Sequence, residues 1–222
     1  EQFTAAGLKV LTPLKENPSG DLNFFVEDLN GNIFNVVKGL GWFKTKERRL
    51  TGGVSGAIIG SSDIDKARTL YSDVLGYDEV VYDETDIFED MNGLPSGQTK
   101  FRRVLLRHSQ PRKGGFSKMF GPTEIELIQS EDGRRNPKKI FENRYWGDIG
   151  FIHLCFDVQG MDALKRECVA KGFPFTVDSA DSFDMGEAAG RFTYIEDPDG
   201  TLIEFVETHK VPIMKKLGWF ID

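Results

Sequence analysis

Cysteine and histidine are scarce here: the 222 residues hold two cysteines, Cys155 and Cys168, and three histidines. Two thiols are too few for a disulfide framework, so a reducing, cytoplasmic setting is the expectation. Long apolar runs are lacking as well. None approaches the ~20 residues that a membrane-spanning helix needs. The first residues, EQFTAAGLKV, offer neither a positive leader nor a continuous apolar stretch, so neither a signal peptide nor a membrane partner is expected. Positive charge is outweighed, with 28 Lys and Arg against 35 Asp and Glu and a formal charge of −7. An acidic surface repels a polyanion and gains nothing from counterion release, which argues against nucleic acid as a partner. The basic clusters KTKERR at 44–49 and RRNPKK at 134–139 fit solvated linkers. Nucleophile elbow, P-loop, dinucleotide fingerprint and paired CxxC are all missing, so serine hydrolysis, phosphate-loop chemistry and Rossmann cofactors have no support.

What is present is an ordinary globular composition, 39% hydrophobic and 28% charged, in a chain long enough for one or two domains. The chain also repeats itself. FFVEDLNGNIFNVV at 24–37 matches TYIEDPDGTLIEFV at 193–206, Asp28 falling on Asp197 at an offset of 169 residues. Each segment fits a hairpin whose turn is closed by a glycine, Gly31 or Gly200, able to adopt the positive φ that other residues resist. GLGWF at 39–43 and KLGWF at 216–220 follow in the same order, which favours duplication.

Helical spacing appears twice. Residues 62–75 place Ile64, Ala67, Tyr71 and Val74 on one stripe, with Ser62 or Asp63 as N-cap and Gly76 as the stop. Residues 160–171 place Met161, Leu164 and Cys168 likewise, with Gly172 as the stop. Each helix follows a short strand, at 54–60 and 150–158, and precedes strands ending in TEIELIQ at 123–129 and GTLIEFVE at 200–207. The order is β-α-β-β-β, twice. Between Gly76 and Thr123 only KFRRVLLRH is assigned as a strand.

At SSDIDKARTLYSDVLGYDEV, GFIHLCFDV and IEDPDGTLIEFVE the chain resembles the vicinal oxygen chelate superfamily: glyoxalase I, bleomycin-resistance proteins and extradiol dioxygenases. The resemblance runs from Val54 to Glu207. It implies an α+β fold of paired βαβββ modules forming a cupped sheet around a cavity. The expected organisation is a partial module at 1–43 holding only its second half, a linker at 44–53, a complete glyoxalase-like domain at 54–208 with modules 54–130 and 148–208, and a tail at 209–222. Because the first module would lack its first half, something upstream of residue 1 is expected.

Strand alternation sends Ile152, Leu154, Phe156 and Val158 to the helix side and His153 with Cys155 to the other, while Ile203 and Phe205 flank an outward Glu204. Glu126 follows the same rule. Each of these three stands where the resembled family carries a metal ligand. Together they form a candidate site for a borderline divalent ion, Zn²⁺, Ni²⁺, Co²⁺, Mn²⁺ or Fe²⁺. A strand Glu is ordinarily solvated and a lone His ordinarily structural, so only the coincidence of all three carries weight. The fourth family ligand aligns with Gly56, which has no side chain, and Asn35 of the partial module aligns with Glu204. The absence at Gly56 weighs against extradiol ring cleavage. Arg102, Arg103, Arg107 and His108 are candidates to receive an anion, or simply a solvated strand face, and His209 has no assigned role.

The resemblance implies a metal-dependent glyoxalase-type lyase or isomerase acting through an enediolate on a small molecule with vicinal oxygens, Glu204 being both ligand and catalytic base. The alternatives are a metal-free small-molecule binding or resistance module and an assembly role for the whole chain. A homodimer is expected, since relatives often pair modules across chains and a half-module leaves a free β edge.

Overall fold

The computed structural model describes residues 1–39, 46, 51–114, 117–133, 138–179, 183–184, 189–214 and 219–221. The echo at 39–43 and the linker at 44–53 therefore lie largely outside the described residues, as do residues 134–137 and 215–218.

The N-terminal segment holds a short helix α1 (Gln2–Ala5) and four strands, β1 (Lys9–Val10), β2 (Lys15–Glu16), β3 (Leu22–Glu27) and β4 (Ile33–Val37). β3 is central: it pairs antiparallel with β1, β2 and β4. The first full module follows as β5 (Gly56–Gly60), α2 (Ile64–Tyr71), β6 (Glu79–Asp86), β7 (Phe101–Arg107) and β8 (Glu124–Ser130), with a short helix α3 (Ser117–Phe120) before β8. Its sheet has the order β5-β8-β7-β6, in which β5 and β8 run parallel. The second module comprises β9 (His153–Asp157), α4 (Met161–Ala170), the short β10 (Val177–Asp178) and β11 (Phe183–Asp184), β12 (Ala189–Glu196) and β13 (Leu202–Met214). Again the first and last strands, β9 and β13, run parallel. This is the expected α+β architecture, with β-α-β-β-β in each module. The acidic stretch after Gly76, unassigned from sequence, is a full strand because it pairs along β7 from Glu79↔Arg107 to Asp86↔Phe101. The tail expected at 209–222 continues β13 to Met214 and returns as β14 (Trp219–Ile221) in an antiparallel pair.

Both longer helices form where the pattern placed them, α2 ending at Tyr71, short of the Gly76 stop. The Asp63 side chain accepts the Lys66 amide and caps α2, whose Ile64, Ala67, Leu70 and Tyr71 are buried. α4 buries Met161 and Cys168. One apolar core takes the helix-facing residues of both modules: Ile59, Val104, Leu106, Ile125 and Leu127 from the first sheet, and Ile195, Ile203 and Phe205 from the second. Polar ties reinforce it, with Tyr71 Oη donating to Asp197 at 2.9 Å and Ser61 Oγ donating to Asp199 at 2.9 Å. Since alternate strand residues face opposite ways, this shared core directs Glu126 and Glu204 outward, each onto the other face of its own sheet.

The two hairpins found by sequence are the same structure. Asp28 Oδ1 accepts the amides of Asn30 and Asn32, and Asp197 Oδ1 accepts those of Asp199 and Thr201. Gly31 and Gly200 close the turns at φ of 82° and 86°.

Candidate functional site

On the second module, β9 and β13 lie side by side with Cys155 opposite Glu204. His153, one alternation before Cys155, reaches across so that its Nε2 stands 2.9 Å from Glu204 Oε2. Two further groups donate to the same carboxylate. The Tyr194 phenol, paired with Glu204 across the β12–β13 ladder, is pushed up to about 12 by burial and by its hydrogen bond to Glu204. The Cys155 thiol is likewise pushed up to about 12 by burial, the Glu204 charge and its hydrogen bond to that carboxylate. Both therefore remain protonated donors at neutral pH. The other nitrogen of His153, Nδ1, is buried without a hydrogen-bond partner.

Aromatic rings enclose the pair. Trp146, in the loop before β9, stacks on His153 at 5.6 Å and 18°, and Phe141 stacks on Trp146 at 5.9 Å and 8°. Tyr194 meets His153 and Trp146 edge-on. No pattern in the sequence pointed to Trp146, because it lies in a loop whose position is set by tertiary contacts.

Glu126 stands elsewhere. Arg103 Nε donates to it at 2.5 Å and Tyr82 Oη at 2.8 Å, while Arg103 also holds Asp90 at 2.8 Å. Arg103, Asp90 and Glu126 are all buried. Burial, the largest single influence, lowers the guanidinium pKa, but the charges of Glu126 and Tyr82 and the hydrogen bonds to Glu126 and Asp90 together outweigh it and the net shift is upward. Asn23 of the N-terminal segment donates to Asp90, and Phe88 lies against the guanidinium. The structure thus brings His153 and Glu204 together and holds Glu126 in a separate ion network. Among the described residues, no group of three His, Cys, Asp or Glu is placed to hold a metal.

The strand registers identify the equivalent positions. Ile58 lies opposite Glu126 as Cys155 lies opposite Glu204, so Gly56, two residues earlier, is the counterpart of His153. A Cβ built on Gly56 would stand 2.0 Å from the Glu124 carbonyl oxygen, so no side chain fits there without moving backbone. Asn35 faces Phe25 as Glu204 faces Tyr194, and its Oδ1 is buried and unpartnered.

The remaining cationic candidates are engaged. Arg102 is held by Asp65 and Asp83, and Arg107 by Glu124. His108 packs against Tyr77 with the rings tilted by 32°, and burial lowers its pKa. His209 meets Glu207 at 3.2 Å.

The model of the Glyoxalase/Bleomycin resistance protein/Dioxygenase superfamily matches residues 57–194, more than half of the chain, and the chain belongs to that superfamily. Similar solved structures include a glyoxalase family protein from Enterococcus faecalis, 19% identical over 70% of this chain and 97% of that one, with a TM-score of 0.45. A glyoxylase/bleomycin resistance protein/dioxygenase domain from Frankia sp. is 20% identical over 72% and 93%, with a TM-score of 0.45. A glyoxalase I mutant from Zea mays is 12% identical over 92% of this chain and 62% of that one, with a TM-score of 0.51. A search of curated proteins finds no match.

Proposed function

We propose that the outer face of the second module is the working half of a metal-dependent lyase or isomerase site for a small molecule with adjacent oxygens. The observation that carries this reading is the convergence of His153, Tyr194 and Cys155 on one carboxylate, Glu204.

The donor set fits a borderline divalent ion as far as it goes. An imidazole nitrogen and a carboxylate oxygen 2.9 Å apart on adjacent strands suit such an ion, which would displace the proton between them. His153 and Glu204 would hold it, and the ion would supply Lewis-acid stabilisation of charge developing on the substrate oxygens. Glu126 is committed to Arg103 and Tyr82, so further donors come from water, substrate or a second module. A homodimer that sets another copy against this face supplies such a module, and light scattering on the purified chain tests it.

Glu204 is the group that takes the carbon-bound proton. The Tyr194 hydroxyl and Cys155 thiol fix the carboxylate's orientation, and the aromatic wall covers the His153 side of it. With the ion absent, Nε2 of His153 donates to Glu204 and holds it in place. A metal-free binding role is the second reading, favoured by Gly56, which leaves no room for a further ligand.

The test is metal content by elemental analysis after purification without a metal resin, on wild type, His153→Ala and Glu204→Ala. Near-stoichiometric metal in the wild type, lost in both variants, together with turnover of 2-oxoaldehyde–thiol adducts that Glu204→Gln abolishes, supports the enzyme. No metal after incubation with Zn²⁺, Ni²⁺, Co²⁺, Mn²⁺ and Fe²⁺ refutes it and leaves the binding module.

A further inference from the structure

The two repeated hairpins differ at the residue before the turn glycine. The repeat sets Asp28, Leu29, Asn30 and Gly31 against Asp197, Pro198, Asp199 and Gly200, so the N-terminal copy carries an amide where the second carries a carboxylate. In the second hairpin, Asp199 Oδ2 is engaged by Ser61 Oγ and by the Ser62 amide, each at 2.9 Å. Asn30 has no such tether. It is exposed, it follows Leu29 at 97% exposure, and among the described residues nothing hydrogen-bonds its side-chain amide.

An asparagine followed by glycine is open to attack on its own side chain, because no Cβ shields the next amide nitrogen and the backbone there turns freely. At Gly31 a Cβ would meet nothing within 4 Å. Its amide is held by a 3.2 Å bond to the Asp28 carbonyl, at the long end of the hydrogen-bond range. Opening such a hairpin tip costs a small part of the global stability. The other Asn-Gly pair in the chain is built differently. Asn92 Oδ1 accepts Gln98 Nε2 at 3.0 Å, and a Cβ on Gly93 would fall 2.3 Å from the Leu11 carbonyl oxygen. The main chain at Asn92 therefore cannot swing without parting the N-terminal segment from the first module.

We propose that Asn30 is a site of spontaneous deamidation, with water as the co-reactant. The Gly31 amide nitrogen, losing its proton to solvent base, attacks Asn30 Cγ. The new C–N bond closes a succinimide ring, and the Cγ–Nδ2 bond breaks to release ammonia. Water then opens the ring. Attack at Cγ leaves aspartate, and attack at the backbone carbonyl leaves isoaspartate, whose main chain runs through the former side chain. The turn tolerates the aspartate, since Asp199 fills the same place in the twin. Isoaspartate lengthens the link between β3 and β4, and β4 carries Phe34, which meets Phe151 of the second module edge-on at 5.5 Å.

The test is to age the full 222-residue chain in mildly alkaline buffer and compare it with an unaged sample by trypsin digestion and mass spectrometry. Asn30 lies in the peptide from Glu16 to Lys38 and Asn92 in that from Thr69 to Lys100, so one digest reads both pairs. The mass gain of an amide turned acid should build up at Asn30 as two separable products, and faster at higher pH. Asn92 should convert at least about tenfold more slowly, the factor that each ~1.4 kcal/mol of opening cost imposes. In denaturant the two pairs should convert at similar rates, which assigns the difference to the fold. Asn30→Gln should abolish the reaction in its peptide, and Asn30→Asp should keep the wild-type melting temperature. The proposal is overturned by an Asn30 that stays intact in the folded chain while the denatured chain converts, or by an Asn92 that converts as fast as Asn30. A difference that persists in denaturant, or a melting temperature lowered by Asn30→Asp, overturns it equally.

Discussion

On the outer face of β8, Glu126 is reached by Arg103 and Tyr82 and lies behind the turn of Phe88 and Asp90, which the N-terminal strands hold through Asn23. On the equivalent face of β13, Glu204 is reached by His153, Tyr194 and Cys155, and an exposed Trp146 stands over them. The two carboxylates occupy matching positions in duplicated modules. The difference lies in what surrounds them. A guanidinium bonded to two carboxylates in a dry interior satisfies all three and leaves nothing for a ligand. A histidine and two weak donors around one carboxylate leave it able to exchange partners. Repetition of a fold thus keeps the position of a side chain while its neighbours decide whether it is locked into structure or left open to exchange.

The largest effect should come from breaking the closed network. Arg103→Ala leaves two buried carboxylates unpaired and should destabilise the protein by about 3–5 kcal/mol, read by denaturant unfolding, or prevent soluble expression. Glu204→Gln, the matching change on the open face, should alter stability by less than about 1 kcal/mol, because its partners still reach water. If the two substitutions destabilise equally, the contrast between the faces is lost.

Gly56→His sharpens the comparison from the other side. If the first module were only a site missing one ligand, restoring histidine would create metal binding. The Glu124 carbonyl occupies the space, so the substitution should instead destabilise by about 1–3 kcal/mol, as overpacking does, and bind no added metal. A gain of metal in elemental analysis would contradict the structural role assigned here.

Asn23→Ala tests the N-terminal contribution. Loss of its bond to Asp90 should lower stability by about 1 kcal/mol and leave the metal content measured for the wild type unchanged.

The smallest effect is pH-dependent. Burial against Tyr77 lowers the His108 pKa, so the unfolded chain takes up a proton that the folded chain resists. The stability this histidine contributes is present above its ordinary value of 6.5 and is lost as pH falls below it. Melting temperatures should drop from pH 7 to pH 5 in the wild type, and less so in His108→Gln.

Much of this was legible in the sequence. The periodicity of residues 62–75, its Asp63 cap and the glycine-closed hairpins were enough to define both modules, because each signal is local. Alternation around Glu126, His153 and Glu204 correctly gave the face each occupies. It could not say whether the faces converge, since that depends on how two sheets pack. A clue to the closed network was available: in KFRRVLLRH, Arg103 shares a face with Phe101 and Leu105, an unusual place for a cation unless buried partners await it. The strand at Glu79–Asp86 escaped detection because its stabilising partner is β7, and pairing outweighs the four acids, Glu79, Asp83, Glu84 and Asp86, that disfavour a strand.

The hairpin that leads into Glu204 is anchored at its tip to the other module, Asp197 to Tyr71 and Asp199 to Ser61 and Ser62, whereas the Asp28 side chain at the tip of its twin is hydrogen-bonded within its own turn. The strand that carries Glu204 is therefore tied to α2 and the turn before it, which belong to the neighbouring module. The two modules should melt in a single cooperative transition. A second module cut out alone should lose these ties and, with them, the alignment of the residue on which its proposed chemistry depends.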